Sequence, residues 1–515
     1  MTTSHPTEQA GERLTWALMS SYTSRGASLL LPLILAPIII STLGIEFYGL
    51  IGVFVIVQGA IALLDLGIVP TVTRELSALR GRNAPASELN NTLYTIELVY
   101  LVLAACALLI GLVISIVVAY YWLHNSKFSA DATAIAFTIM CAGATANLIS
   151  GLFSATLLAM GRQIQFNLIS TCFPVVNIAV SISGLRYFSW DIFDYLAWQA
   201  SIAWASLLVI RYLAWKSMPE RSASLVFSKG VIIALRRFAT GVSITQILAT
   251  LSMNMDRILL SRLLPTEVFG YYALGATVAS SLLALVYPIL AVASPRLTLA
   301  FNSPDKSHAA DMYHFYCQMV CVAIVPTALT VAIFVEPLLL AWTQNPDVVQ
   351  HASTPLRILA LGWLFNGLMC VPYATQLAHG WVRLGLYGLA IGLVFQIPVL
   401  LYFVPRHGID AAAWSWLVLE LGFFLVAIPL MHTRILRGHA KQWYLMDTLI
   451  PAFSTLAVLA ICYLVFQQLQ QSFYLTRLDL FLYLGFSAFL AFLISIMSAT
   501  RMRPIAIKLL TRSTS

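Results

Sequence analysis

The chain has 515 residues, of which 60% are apolar and 10% charged, with a mean hydropathy of +0.86 and a formal net charge of +8. These values exclude an ordinary soluble globular domain and make the bilayer the solvent for most of the polypeptide. The basic excess follows membrane topology, as shown below, and supports no inference of nucleic-acid binding.

Residues 1–14 are polar and lack the pattern of a cleavable leader, so they are expected to form a cytoplasmic N-terminus ahead of a first span that stays as an anchor. A span needs roughly 20 apolar residues to cross about 30 Å of hydrocarbon. Fourteen such runs follow, and the first six are centred on 15–43, 47–70, 92–119, 132–158, 165–185 and 191–214. They form an expected N-lobe, 15–214, followed by a basic cytoplasmic linker, 215–237, whose composition suggests a partly amphipathic helix on the inner leaflet. A C-lobe, 238–431, holds runs at 238–262, 267–295, 312–340, 354–379, 384–404 and 410–431. A cytoplasmic loop, 432–446, two further spans at 447–467 and 478–500 within 447–500, and a cytoplasmic tail, 501–515, complete the reading. The expected fold class is therefore an all-α polytopic membrane protein of 14 transmembrane helices: two parallel six-helix repeats plus two C-terminal helices.

A charged side chain near the bilayer centre costs about 2.5–3.5 kcal/mol on insertion scales, so each one retained there should face protein or water. Arg25, near mid-depth in the first span, has two readings: a cavity-lining guanidinium that binds phosphate bidentately, or a side chain that snorkels or pairs with a neighbouring acid. Asp65, toward the inner end of the second span and nine residues before Arg74, is a candidate substrate-binding residue of the cavity together with Arg25, Asp256 and Arg257. Arg74 and Arg296 would flank the cytoplasmic mouth and draw in a diphosphate, or serve as ordinary positive-inside anchors. Asp256 and Arg257 point about 100° apart on a helix, so one can face a cavity while the other pairs with a neighbour. Glu420, in the middle of the twelfth span, has no basic residue within a turn; it is a candidate for ion coupling by carrying a proton, or a protonated packing residue. Prolines 32, 37, 288 and 295 permit helix bending on spans one and eight.

An internal echo orders these elements. Asn147–Gly161 reads NLISGLFSATLLAMG and Asn366–Gly380 reads NGLMCVPYATQLAHG, with six of fifteen positions identical. Upstream, Glu46-Phe47-Tyr48-Gly49 recurs as Glu267-Val268-Phe269-Gly270, and each glycine precedes an arginine, Arg74 or Arg296, by 25 or 26 residues. Two matching pairs in the same order imply duplication, and an even number of crossings between them makes the halves parallel. With the N-terminus inside, 21 of the 29 basic residues fall in cytoplasmic segments and five outside, in keeping with the positive-inside rule.

The external loops hold only about four to thirteen residues, too few for the acceptor-binding domain of a glycosyltransferase or glycan polymerase. There is no phosphate-binding glycine loop, zinc-protease motif, aspartate-rich metal cluster or nucleophile elbow, so neither an enzyme nor a metal or other cofactor is expected. All seven cysteines lie in spans; Cys317 and Cys321, four apart on one helix, suit packing rather than a disulfide or metal site.

The run TLGIEFYGLIGVFVIVQGAIALLDLGIVPTVTREL, with Gly44, Tyr48, Gly49, Asp65, Leu66, Gly67 and Arg74, resembles the N-terminal signature of the polysaccharide (O-antigen type) flippases. These belong to the multidrug/oligosaccharidyl-lipid/polysaccharide exporter superfamily. The second-half run MNMDRILLSRLLPTEVFGYYALGATVASSLLALVYPIL, with Asp256, Gly270 and Tyr271, resembles that family's seventh and eighth helices. The resemblance implies V-shaped lobes around a cationic cavity in which Arg25, with Arg257 as its rough partner, lines the path. It also implies a polyprenyl-tail groove shaped by helices thirteen and fourteen, and transfer of undecaprenyl-diphosphate-linked oligosaccharide to the periplasmic leaflet of a bacterial cytoplasmic membrane, coupled to an ion gradient. Implied partners are that lipid-linked oligosaccharide, membrane lipids, and glycan polymerase and chain-length proteins. Two alternatives stand beside this reading: a drug or small-solute exporter of related fold, and a membrane scaffold for glycan assembly. A major facilitator is disfavoured because TRELSALRGRN after the second span lacks that family's loop pattern.

Overall fold

The computed structural model describes residues 32–65, 67–123, 127–220, 225–303, 307–472 and 474–504, with side chains outside 234–246 and 307. The described secondary structure is entirely helical, and eleven of its helices are long and apolar enough to cross a membrane. Arg25 lies outside the described residues. The packing divides the chain into two compact units, Met1–Glu267 and Val268–Ser515.

In the first unit, α1 (Pro32–Leu43) leads into α2 (Ile45–Ala62), which tightens into a 3₁₀ turn at Leu63–Asp65 before α3 (Ile68–Gly81) resumes. The run expected as one span at 47–70 is thus two helices. Gly67 (φ 73°) adopts the left-handed conformation that glycine alone enters without strain. Asp65 accepts the Val69 N–H at 3.4 Å, and Pro70 sits in the first turn, where a missing N–H costs nothing. Next come α4 (Ala86–Val117), α5 (Ala130–Ala159), α6 (Gln163–Tyr187), α7 (Ile192–Lys216) and α8 (Lys229–Leu263). Ser129 caps α5, and Asp191 with Asp194 forms a reciprocal capping box on α7. The core gathers on α5, where Leu152, Phe153 and Leu157 are fully buried among Val72 and Leu76 of α3 and Leu93, Ile96 and Tyr100 of α4.

The linker is tied to the start of α4: Val226 N–H donates to Asn91 Oδ1 at 2.8 Å and Ser228 N–H to Thr95 Oγ1 at 3.0 Å. From Lys229 onward the basic stretch is helical, yet it is continuous with the following span and forms no separate surface helix. Uninterrupted backbone hydrogen bonding through one long helix leaves no break at which a flat segment could turn.

The second unit repeats the interrupted helix: α9 (Thr266–Ser281), a 3₁₀ turn at Leu282–Leu285, and α10 (Tyr287–Asn302) with Pro288 in its first turn. Then come α11 (Ser307–Ile333), α12 (Val335–Thr343), α13 (Pro346–Ala378) and α14 (Arg383–Arg434). The last breaks at Gly408 (φ 63°, ψ −146°) into two arms that match the expected runs 384–404 and 410–431. A short α15 (Ala440–Gln442), a π-helical segment (Trp443–Leu449), α16 (Ile450–Ser472) and α17 (Arg477–Ser498) follow, with Phe466 and Leu484 packed on Phe334.

The duplicated hairpin has the same end in both units. Gly161 (φ 69°) and Gly380 (φ 68°) close α5 and α13 in the left-handed conformation. Arg162 N–H then returns to the Leu157 carbonyl at 2.8 Å, and Trp381 N–H to that of Gln376 at 2.9 Å. A side chain from the interrupted helix caps each end: Arg80 Nη1 donates to the Ala159 carbonyl (3.2 Å) and Asn302 Nδ2 to that of Ala378 (3.3 Å). Arg80 and Asn302 each lie six residues beyond the echoed arginine, so the duplication reaches individual hydrogen bonds.

Candidate functional site

In the first unit, Asp65 is half-buried and accepts the Tyr100 hydroxyl together with the Val69 N–H, so it pins the break between α2 and α3. Arg74 is exposed on α3. On α8, Asp256 is buried and Arg257 half-buried, each turned to a different side as the helical period requires. The echoed glutamates Glu46 and Glu267 both meet Lys127, through its backbone N–H (2.5 Å) and its Nζ (2.9 Å) respectively.

In the second unit, Arg296 is exposed on α10 and donates to the Tyr316 hydroxyl at 3.2 Å. Glu420, on the second arm of α14, is buried beside the start of the duplicated hairpin, and Asn366 Nδ2 donates to its Oε1 at 3.2 Å. Close helix packing shapes this region. A Cβ on Gly362 would lie 2.5 Å from the Trp416 indole, and one on Gly392 would lie 3.1 Å from Leu419, so these glycines let α13 and the two arms of α14 approach. The register that sets Gly392 against Leu419 puts Gln396, one turn further along, level with the turn that carries Ser415 and Trp416.

Several polar atoms here have no protein partner: both amide atoms of Gln396, Ser415 Oγ, Trp416 Nε1 and Glu420 Oε2, all on buried residues. Buried polar groups are normally satisfied, so these atoms are the polar points of an otherwise apolar packing between α13 and the two arms of α14. With Asn366 these residues carry a carboxylate, amide carbonyls and a hydroxyl, oxygen donors of the kind that suit a proton or a small cation, and Asn366 and Glu420 are the two in direct contact. Glu420 was legible in the sequence as a lone acid. Gln396 and Ser415 were not, because a single amide or hydroxyl in an apolar run is ordinarily helix–helix glue. Among the described residues no group of three or more His, Cys, Asp or Glu side chains is arranged to hold a metal ion.

A sequence profile for the family described as polysaccharide biosynthesis protein matches residues 17–301, more than half of the chain. The chain belongs to that family. A second profile, MatE, matches residues 242–401. A Shigella flexneri protein whose name marks it as a candidate O-antigen transporter is 20% identical over 383 residues, covering 73% of this chain and 87% of that protein. Among solved structures, the lipid II flippase MurJ in an inward closed conformation superposes with a TM-score of 0.70 at 12% identity, over 93% of this chain and 97% of MurJ. An inward-facing multidrug resistance transporter of the MATE family follows at 0.66 and 13%, over 80% and 96% of the two chains. The polysaccharide biosynthesis family member described here therefore has the all-helical polytopic membrane fold of these transporters.

Proposed function

We propose that this polysaccharide biosynthesis family member is a flippase that moves undecaprenyl-diphosphate-linked oligosaccharide from the cytoplasmic to the periplasmic leaflet of a bacterial inner membrane, with both termini cytoplasmic. The observation that carries the reading is the family match through residues 17–301, joined to a relative named for O-antigen transport. The charge distribution supports the orientation. Arg25 is assigned to the diphosphate, and Arg74 and Arg296, each exposed on the second piece of an interrupted helix, to its capture at the inner face. Asp65 acts by holding the break of its helix, and Asp256 and Arg257 line the path. Glu420, with Asn366, Gln396 and Ser415, is assigned to the coupling ion.

Leaflet distribution of the lipid-linked oligosaccharide in depleted cells is the test. Complementation by wild type should relieve inner-leaflet accumulation, and Arg25→Ala at matched expression should not. Relief by Arg25→Ala removes its role, and an unchanged distribution on depletion removes the substrate. The MatE match over 242–401 favours one second reading, small-solute export. It predicts altered drug efflux without glycan-lipid accumulation.

A further inference from the structure

A buried polar network lies in the second unit, apart from Glu420, where α11, the π-helical segment and the residues just after α17 meet. Asp447, on the π-helical segment, has no solvent exposure and His314 of α11 almost none. The His314 imidazole bonds Asp447 Oδ2 through Nδ1, and its Nε2 lies 2.9 Å from His439 Nδ1. Gln318 Nε2 donates to Asp447 Oδ1 at 2.9 Å and to Thr500 Oγ1 at 3.1 Å, while its Oε1 accepts the Arg501 N–H at 2.8 Å. π-Helical turns are rare and concentrate at functional sites; here one carries the buried acid.

The proton count of this chain of bonds has a consequence. With Asp447 ionised and both histidines neutral, His314 donates to Asp447 and His439 donates to His314, which leaves His439 Nε2 with a free lone pair. A proton added at that nitrogen reverses the histidine–histidine bond: His439 now accepts at Nδ1, His314 donates from both ring nitrogens, and the Asp447–His314 link gains the charge. Both states use the same heavy-atom positions. His439 is half-buried, whereas the other two groups are shut away from solvent.

We propose that Asp447 and His314 form a buried proton-binding site, separate from Glu420, that fills and empties through His439. Among the described residues, the other titratable groups nearby are engaged elsewhere. The Arg501 guanidinium is held by Asp311, through Oδ1 at 2.8 Å and the main-chain carbonyl at 3.2 Å. The Tyr313 hydroxyl meets His432 Nε2 at 3.2 Å, and His432 Nδ1 meets the Ile428 carbonyl at 2.9 Å. Cys321 donates to the Thr448 carbonyl and Tyr444 to that of Phe424, Cys317 lies beside Asp447, and His308 lies beside Asp311. A proton is thus what neutralises the buried carboxylate, and an unpaired buried charge is costly. Loading secures the junction that joins α11 to the start of α16 and the end of α17; emptying weakens it. In the orientation proposed above, the site reads the proton concentration of the cytoplasm.

The test is solid-state NMR of the full-length protein with ¹⁵N-labelled histidine in phosphatidylcholine vesicles, recorded as a function of pH. His314 is assigned by its loss in His314→Gln or, should that variant not fold, by the wild-type contact between its ring nitrogen and that of His439. The expected result is a His314 ring with both nitrogens protonated in acid and one in alkali, a concerted change at His439, and loss of the doubly protonated form in Asp447→Asn. A His314 ring whose protonation is constant over the whole range in which the protein stays folded overturns the site. A titration that Asp447→Asn leaves unchanged overturns it equally. Neither result depends on transport, so the outcome is independent of the flippase reading.

Discussion

At Glu420 one side chain carries two separable roles. Its Oε1 satisfies the Asn366 amide, and its buried Oε2 has no protein partner. Glu420→Gln keeps both the side-chain volume and an acceptor for Asn366, so stability should change by less than about 1 kcal/mol. Glu420→Ala strands the Asn366 N–H in a buried site and should cost about 1–3 kcal/mol. Thermal unfolding in detergent measures both. The coupling role predicts that Glu420→Gln, although folded, loses the dependence of transport on an ion gradient; a gradient response equal to wild type would remove Glu420 from coupling. The sequence exposed the acid because a lone carboxyl group stands out against a span. It hid Gln396, Ser415 and the Asp447–His314 pair, because their grouping depends on which faces of separate helices meet, and no spacing along the chain encodes that.

Duplication becomes mechanical at the ends of elements. Gly161 and Gly380 occupy the left-handed region, where a Cβ costs roughly 1–2 kcal/mol. Around Gly380 a Cβ would meet nothing within 4 Å, so Gly380→Ala isolates the backbone term and should destabilise by about that amount. At Gly161 the Cβ would lie 2.8 Å from Arg80 Nη1, which must move and give up its bond to the Ala159 carbonyl. Gly161→Ala should therefore cost about 1 kcal/mol more than Gly380→Ala, the usual worth of a hydrogen bond. Arg80→Ala should narrow the difference, because it removes both the obstacle and the bond; equal costs in the wild-type background would show that the Arg80 cap contributes nothing. The fifteen-residue echo ends on a shared glycine, but only the structure shows that this glycine is the left-handed cap in both units. The interruptions of α2–α3 and α9–α10 were not legible: hydropathy continues through each 3₁₀ turn, and only Gly67 with Pro70 marks the first.

For the whole molecule, crossing parity turns these local breaks into a statement about topology. Glu220, after α7, and Tyr474, after α16, are both exposed. Between them the proposed topology has seven crossings: α8, the interrupted α9–α10, α11, α13, the two arms of α14 and α16. Seven is odd, so the two positions lie on opposite sides, with Glu220 inside. If the 52-residue α14 crossed once rather than turning back at Gly408, the count would be six and both positions would share a side. Cysteines placed singly at the two sites resolve this with a membrane-impermeant maleimide, since the native cysteines all lie within spans and supply a common background. Tyr474→Cys should label in intact spheroplasts and Glu220→Cys only after permeabilisation. The opposite assignment would invert the proposed orientation and move Arg74 and Arg296 to the outer face. Labelling of both from one side would show that a break was misread as a turn, with Gly408 the first to suspect because its positive φ is the only non-helical residue in α14.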